Sequence, residues 1–151
     1  FADQGRRVSV ITANGFAALK ALLPPPPRRA LVLIDPPYET RDDYTHVISA
    51  LNEGLSRFAT GTYAVWYPQL ARPEAQQLPD KLKRLPIRNW LHVTLTVHTP
   101  SADGYGMHGS GMFIINPPWT LHRTLDAIMP YLVQVLGEDA GAGYTLEAQG
   151  D

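Results

Sequence analysis

The 151-residue chain contains no cysteine. That excludes a disulfide-stapled scaffold and a thiolate metal site, and it fits the cytoplasmic location expected here. Net charge is almost absent as well: 13 Lys and Arg stand against 14 Asp and Glu. A globally basic surface is therefore excluded, and any contact with a polyanion must come from a local patch. Nothing approaches the roughly 20 consecutive apolar residues a membrane-spanning helix needs, so no membrane partner is expected. The five histidines show no ligand spacing. His92 and His98, six residues apart on a predicted strand, would lie roughly 20 Å from each other, too far for one ion. No metal site is expected, and no nucleophile elbow, phosphate-binding loop or hydrolytic triad is present.

What is there suits one domain with a sizeable core. Phe1 is not an initiator methionine, and Phe1 to Arg7 lacks the apolar centre of a signal peptide, so the sequence reads as part of something longer. Val8 to Thr12 reads as a strand, Asn14-Gly15 as a turn, and Phe16 to Leu23 as a helix ended by Pro24 to Pro27. Leu31 to Ile34 is a second strand. A helix capped by Asp42 or Asp43 follows, with Tyr44, Val47, Ile48, Leu51, Leu55 and Phe58 at helical spacing. Tyr63 to Tyr67 is a third strand, and Pro73 to Leu85 a polar helix.

Leu91, Val93, Leu95 and Val97 alternate with polar residues in a fourth strand. Gly104 to Gly111 reads as a loop, Met112 to Ile115 as a fifth strand, and Leu121 to Leu136 as a long apolar-faced helix; Tyr144 to Glu147 suits an edge strand. Strand–helix alternation in the first half predicts parallel strands, and the short glycine loop predicts an antiparallel hairpin later. The expectation is an α/β sheet with a terminal hairpin. Its ligand site would lie at the carboxyl ends of strands, where Asn14-Gly15 and Asp35 to Tyr38 both fall.

Asp35-Pro36-Pro37-Tyr38 directly follows the apolar run Leu31 to Ile34. A strand would thus deliver a carboxylate, two prolines and an aromatic ring to its end. This set suits activation of the exocyclic amine of adenine, whose lone pair is delocalised into the ring. A carboxylate accepting one N–H and a backbone carbonyl accepting the other would draw the nitrogen toward tetrahedral geometry. Proline contributes a carbonyl without a competing N–H, and Tyr38 is expected to stack on an extruded base. The plainer reading is a strand exit through two prolines, with Asp and Tyr as ordinary loop residues.

A second copy of the pattern, Asn116-Pro117-Pro118-Trp119, also follows a strand. Its Asn lacks the charge, so this copy is expected to end a strand and start the helix at Leu121. Gly104-Tyr105-Gly106-Met107-His108-Gly109 matches GxGxxG formally, but it runs into a strand and not a helix, against a dinucleotide site. Lys81, Lys83, Arg84 and Arg88 make a modest basic stretch, read as a solvated helix face with RNA contact as the alternative.

Asn14-Gly15-Phe16, Leu31 to Glu39, the run Arg57 to Pro68 (RFATGTYAVWYP) and Gly109 to Trp119 together resemble the RlmJ-type family, adenine-N6 methyltransferases of bacterial 23S ribosomal RNA. The resemblance covers nearly the whole chain and corresponds to the C-terminal half to two-thirds of that family. It implies a Rossmann-like class I fold, of which residues 1–151 would form the C-terminal part, with S-adenosylmethionine as cofactor, 23S rRNA as partner and a monomeric state. It further implies that Asp35 engages the adenine amine with the Pro36 carbonyl and Tyr38 beside it, and that Asn14, Gly15 and Asp35 border the cofactor. The family's usual residue at position 14 is Asp, so Asn14 is a departure. The family's early cofactor-binding strand, ribose-binding acid and helical insertion have no counterpart here, and the isolated chain is expected to be inactive. Methylation of DNA adenine, and a non-catalytic nucleic-acid-binding role linked to use of external DNA, are the alternatives.

Overall fold

A computed structural model describes residues 8–150. Nine elements follow in order: α1 (Gly15–Leu22), β1 (Leu31–Ile34), α2 (Arg41–Arg57), β2 (Thr62–Gln69), α3 (Pro73–Lys83), β3 (Trp90–Thr96), β4 (Gly109–Ile115), α4 (Leu121–Leu136) and β5 (Gly143–Gln149). The strands form one sheet in the order β1-β2-β4-β3-β5. Only β1 and β2 are parallel; every other pairing is antiparallel.

The period of two in the strands sorts side chains into two cores. Along β4, Phe113 and Ile115 join Tyr63, Val65 and Trp90 under α2 and α3, where Val47, Leu51, Leu78 and Leu82 complete the larger cluster. Ile114, between them, points the other way with Ala64, Leu91 and Val93 to meet Met129, Leu125 and Leu132 of α4. Successive residues of one strand thus fill opposite faces, giving three layers.

Several boundaries differ from expectation. Val8 to Thr12 forms no strand: the segment has no ladder partner among the described residues, and Val10 and Ile11 are exposed. β propensity without a partner does not make a strand. The cap of α2 is Thr40, not Asp42 or Asp43; Asp43 lies in the first turn and accepts the Thr40 N–H at 2.9 Å. A carboxylate placed there favours the positive end of the helix, and the bond depresses the Asp43 pKa. β4 begins three residues earlier than the glycine loop suggested. Gly109 and Gly111 pair with both neighbouring strands, and only glycine fits there: a Cβ would collide with Gln69 and the Leu95 carbonyl at one, and with the Tyr67 ring at the other. The expected edge strand is β5, and the expected hairpin is β3–β4.

Candidate functional site

β1 ends at Ile34, paired with Val65, and the chain then leaves the sheet through Asp35, Pro36 and Pro37. Neither proline can donate to a further ladder rung, so the sheet edge stops there. An open pocket of about 400 Å³ lies at this strand end, lined by Asn14, Gly15, Phe16, Leu19, Leu33, Ile34, Asp35, Pro36 and Pro37. Four predicted site residues, Asn14, Gly15, Asp35 and Pro36, are therefore brought together by the fold, although 20 residues separate the two segments in sequence.

Each segment is fixed locally. Asn14 is the N-cap of α1, its side-chain oxygen accepting the Ala17 N–H at 3.2 Å. Its oxygen is thus engaged in the cap, and Asn14 lines the pocket. A Cβ on Gly15 would meet nothing within 4 Å, so the first turn of α1 leaves open space at the pocket wall. Asp35 is exposed at the mouth.

Tyr38 departs from expectation. Instead of presenting its ring to the pocket it is 2 % exposed and belongs to the larger core cluster. It adopts φ 53°, which turns the ring inward against Tyr44 (centroids 4.9 Å apart) and Trp66 (6.4 Å). The buried hydroxyl finds its partner in the Trp66 carbonyl at 2.7 Å. Burial, followed by Tyr44 and Asp35 nearby, raises the phenol pKa far above its ordinary value. In this conformation the ring anchors the loop and offers no stacking face to the pocket.

Sequence reasoning missed Arg72. At the turn from β2 into α3, one guanidinium nitrogen donates to the carbonyls of Tyr38 (3.2 Å) and Glu39 (3.1 Å). The loop that carries Asp35 is thereby held from its far side. No motif announces this arginine, because its partners are backbone oxygens 33 and 34 residues away.

The second tetrapeptide lies at the opposite end of the sheet: Ile115 pairs with Tyr63, where β2 begins. Asn116, at φ 52°, donates its amide to the carbonyls of Ala59 and Gly61, both at 2.8 Å, and its own carbonyl accepts from the Thr62 hydroxyl at 2.9 Å. The Leu121 N–H closes on Pro118 as α4 starts. This copy is a strand end and helix start, as expected. In the basic stretch, Lys83 bonds Glu147 at 2.7 Å and lies 5.1 Å above the Trp90 ring, tying α3 to β5. The glycine loop opens no helix; it leads into β4.

The description "Ribosomal RNA large subunit methyltransferase D, RlmJ" belongs to the family whose sequence pattern matches residues 1–147. A Haemophilus influenzae protein named ribosomal RNA large subunit methyltransferase J is 47 % identical over 147 residues, covering 97 % of this chain and 52 % of that protein. Its Escherichia coli namesake is 46 % identical over 138 residues, 91 % of this chain and 49 % of that one. The crystal structure of protein LPL1258 from Legionella pneumophila superposes with a TM-score of 0.81 at 31 % identity, over 91 % of this chain and 50 % of that one. The chain thus spans about half the length of the curated relatives it matches. With the family pattern running through almost every residue and identity near one half, the chain belongs to the RlmJ family.

Proposed function

We propose that the protein carrying this chain methylates N6 of an adenine in 23S ribosomal RNA, with S-adenosylmethionine as methyl donor. The sheet is read as the C-terminal part of a Rossmann-like class I domain, with β1 and β2 as its parallel strands. The names of the relatives support the RNA substrate. The observation that carries the chemistry is the shared pocket of Asp35, Pro36, Asn14 and Gly15.

The pocket fits the adenosyl end of the cofactor. Phe16, Leu19, Leu33 and Ile34 offer apolar walls to a purine. The space beside Gly15 lets a ligand approach backbone, and the Asn14 NH₂ can donate to a ring nitrogen. Asn and Asp cap a helix equally well, so Asn14, in place of the family's usual Asp, keeps α1 in place and changes only the polarity offered to the ligand. Bound S-adenosylmethionine supplies a methyl group already made electrophilic by the sulfonium.

The chain's own residues prepare the acceptor. The Asp35 carboxylate takes one N–H of the adenine amine and the Pro36 carbonyl takes the other, withdrawing the lone pair from ring conjugation. As the new C–N bond forms, Asp35 accepts the proton the nitrogen sheds. This is general-base and positioning catalysis without a covalent enzyme intermediate. Stacking of Tyr38 on the base would require the ring to leave the Trp66 carbonyl, so its resting role is to hold the loop.

The test is labelled methyl transfer by the protein in its natural full length to unmodified 23S rRNA and, separately, to DNA. N6-labelled rRNA adenine that vanishes in Asp35→Ala is the expected result. Label in DNA alone would reassign the substrate, and label in neither would reduce the protein to a binding role.

A further inference from the structure

The sheet end that carries Asp35 also carries a second pocket. β2 runs on from Val65, the partner of Ile34, to Gln69, roughly 13 Å further along. There a pocket of about 260 Å³ opens between α3 and the β3–β4 connection, with Tyr67, Gln69, Gln76 and His108 on its polar side and Leu70 and Pro79 on its apolar side.

The loop before β4 borders this pocket through His108 and meets the turn after β2 at Gly104. The His108 N–H donates to the Gln69 carbonyl at 3.3 Å. A Cβ on Gly104 would stand 3.3 Å from that of Ala71, immediately before the Arg72 that grips the Asp35 loop. The turn at Ala71-Arg72 therefore touches both loops, the glycine loop at Gly104 and the Asp35 loop through Arg72. Tyr105 projects from the glycine loop, 81 % exposed, with Met107 half exposed. Gly104 and Gly106, at φ 73° and 88°, make the reversals on either side of Tyr105, and Asp103 accepts its N–H at 3.0 Å. The turn presents an aromatic ring to water three residues before His108, which lines the pocket.

We propose that Tyr105 and this pocket form a subsite for an unpaired nucleobase next to the target adenine, the base stacking on Tyr105 with its edge toward Gln76 and His108. The proposal rests on the RNA-methyltransferase reading and extends it to a second nucleotide. Amide and imidazole groups offer both donors and acceptors, as base edges require. Single-stranded RNA is read by this pairing of aromatic stacking with edge contacts.

Tyr105→Ala and Tyr105→Phe, in the protein at its natural full length, decide the matter. Two readouts are needed: fluorescence anisotropy with transcribed 23S rRNA fragments, and steady-state methyl transfer to them. Tyr105→Ala is expected to weaken RNA binding and raise the KM for RNA about tenfold. The KM for S-adenosylmethionine and kcat stay unchanged, and Tyr105→Phe behaves as the unsubstituted protein. Unaltered binding by Tyr105→Ala, equal damage from Tyr105→Phe, or a loss confined to kcat would each overturn the subsite. RNA binding that depends on Tyr105 without any methyl transfer would leave the subsite standing and refute the methyltransferase reading. Absence of RNA binding by the unsubstituted protein would refute both.

Discussion

Asp35-Pro36-Pro37-Tyr38 and Asn116-Pro117-Pro118-Trp119 share a pattern, yet the fold uses them inversely. In the first, the acidic residue is exposed at a pocket and the aromatic is buried with its hydroxyl bonded to Trp66. In the second, the amide is consumed by Ala59 and Gly61, and the aromatic stands 94 % exposed. A residue free of structural duties is available for chemistry; one that satisfies two backbone carbonyls is not. The pair also shows how positive φ is used. It falls on Tyr38 in one copy and on Asn116 in the other, and in each the residue so twisted is the one turned into the protein.

Exchanging the polar residues tests this contrast most severely. Asp35→Asn is expected to lower methyl transfer by about 10²–10⁴-fold, the usual contribution of a positioned base, with no change in melting temperature. Equal loss of activity and stability would show Asp35 to be structural. The converse change, Asn116→Asp, sets a carboxylate against two carbonyl oxygens and removes two donors. Calorimetry or denaturant unfolding should report destabilisation of about 1–3 kcal/mol or more, while transfer per folded molecule is preserved.

The aromatic positions should differ as sharply in stability. Tyr38→Ala empties a packed site and is expected to cost about 3–5 kcal/mol, whereas Trp119→Ala should stay within about 0.5 kcal/mol. Similar denaturation midpoints for the two variants would contradict the inverse burial. Arg72→Ala acts more gently: loss of its two bonds to the Asp35 loop should speed amide exchange in residues 35–41 and lower kcat, with exchange in β3 to β5 unchanged.

The smallest effect concerns pH, and lies outside both tetrapeptides. His92 bonds the Tyr67 hydroxyl at 2.7 Å and is 5 % exposed, and its Nδ1 has no partner among the described residues. Burial, followed by the charge of Lys83, lowers its pKa below the ordinary histidine value. The unfolded chain then binds the proton more readily than the folded one. His92 therefore destabilises the fold as pH falls below about 6.5, through the window down to its depressed pKa, and has no such effect above it. His92→Phe should flatten the loss of melting temperature in that acid range; an unchanged slope would locate the sensitivity elsewhere.

Legibility in the sequence followed the kind of signal involved. α2 and α4 were readable from repeating apolar residues, because burial on one face imposes that period directly, and β3 from an alternation that persists although both its faces are covered. Asp35, Pro36, Asn14 and Gly15 were readable as candidates because strand ends and helix starts leave marks in Pro, Asn and Gly. Val8 to Thr12 misled because a strand exists only through its neighbour. Arg72 and the interior position of Tyr38 left no local mark at all.

By itself, then, the sequence determined the alternation of elements, the apolar faces and the chemistry available at the end of β1. These depend on residues within one or two turns of each other. Only the tertiary structure decided which of two like tetrapeptides keeps a free polar group, that Tyr38 turns inward, that Arg72 holds the Asp35 loop, and that the Tyr105 loop meets the turn at Ala71. Those outcomes rest on hydrogen bonds and contacts between residues more than 25 positions apart, where burial and partner geometry, not local preference, set the free energy.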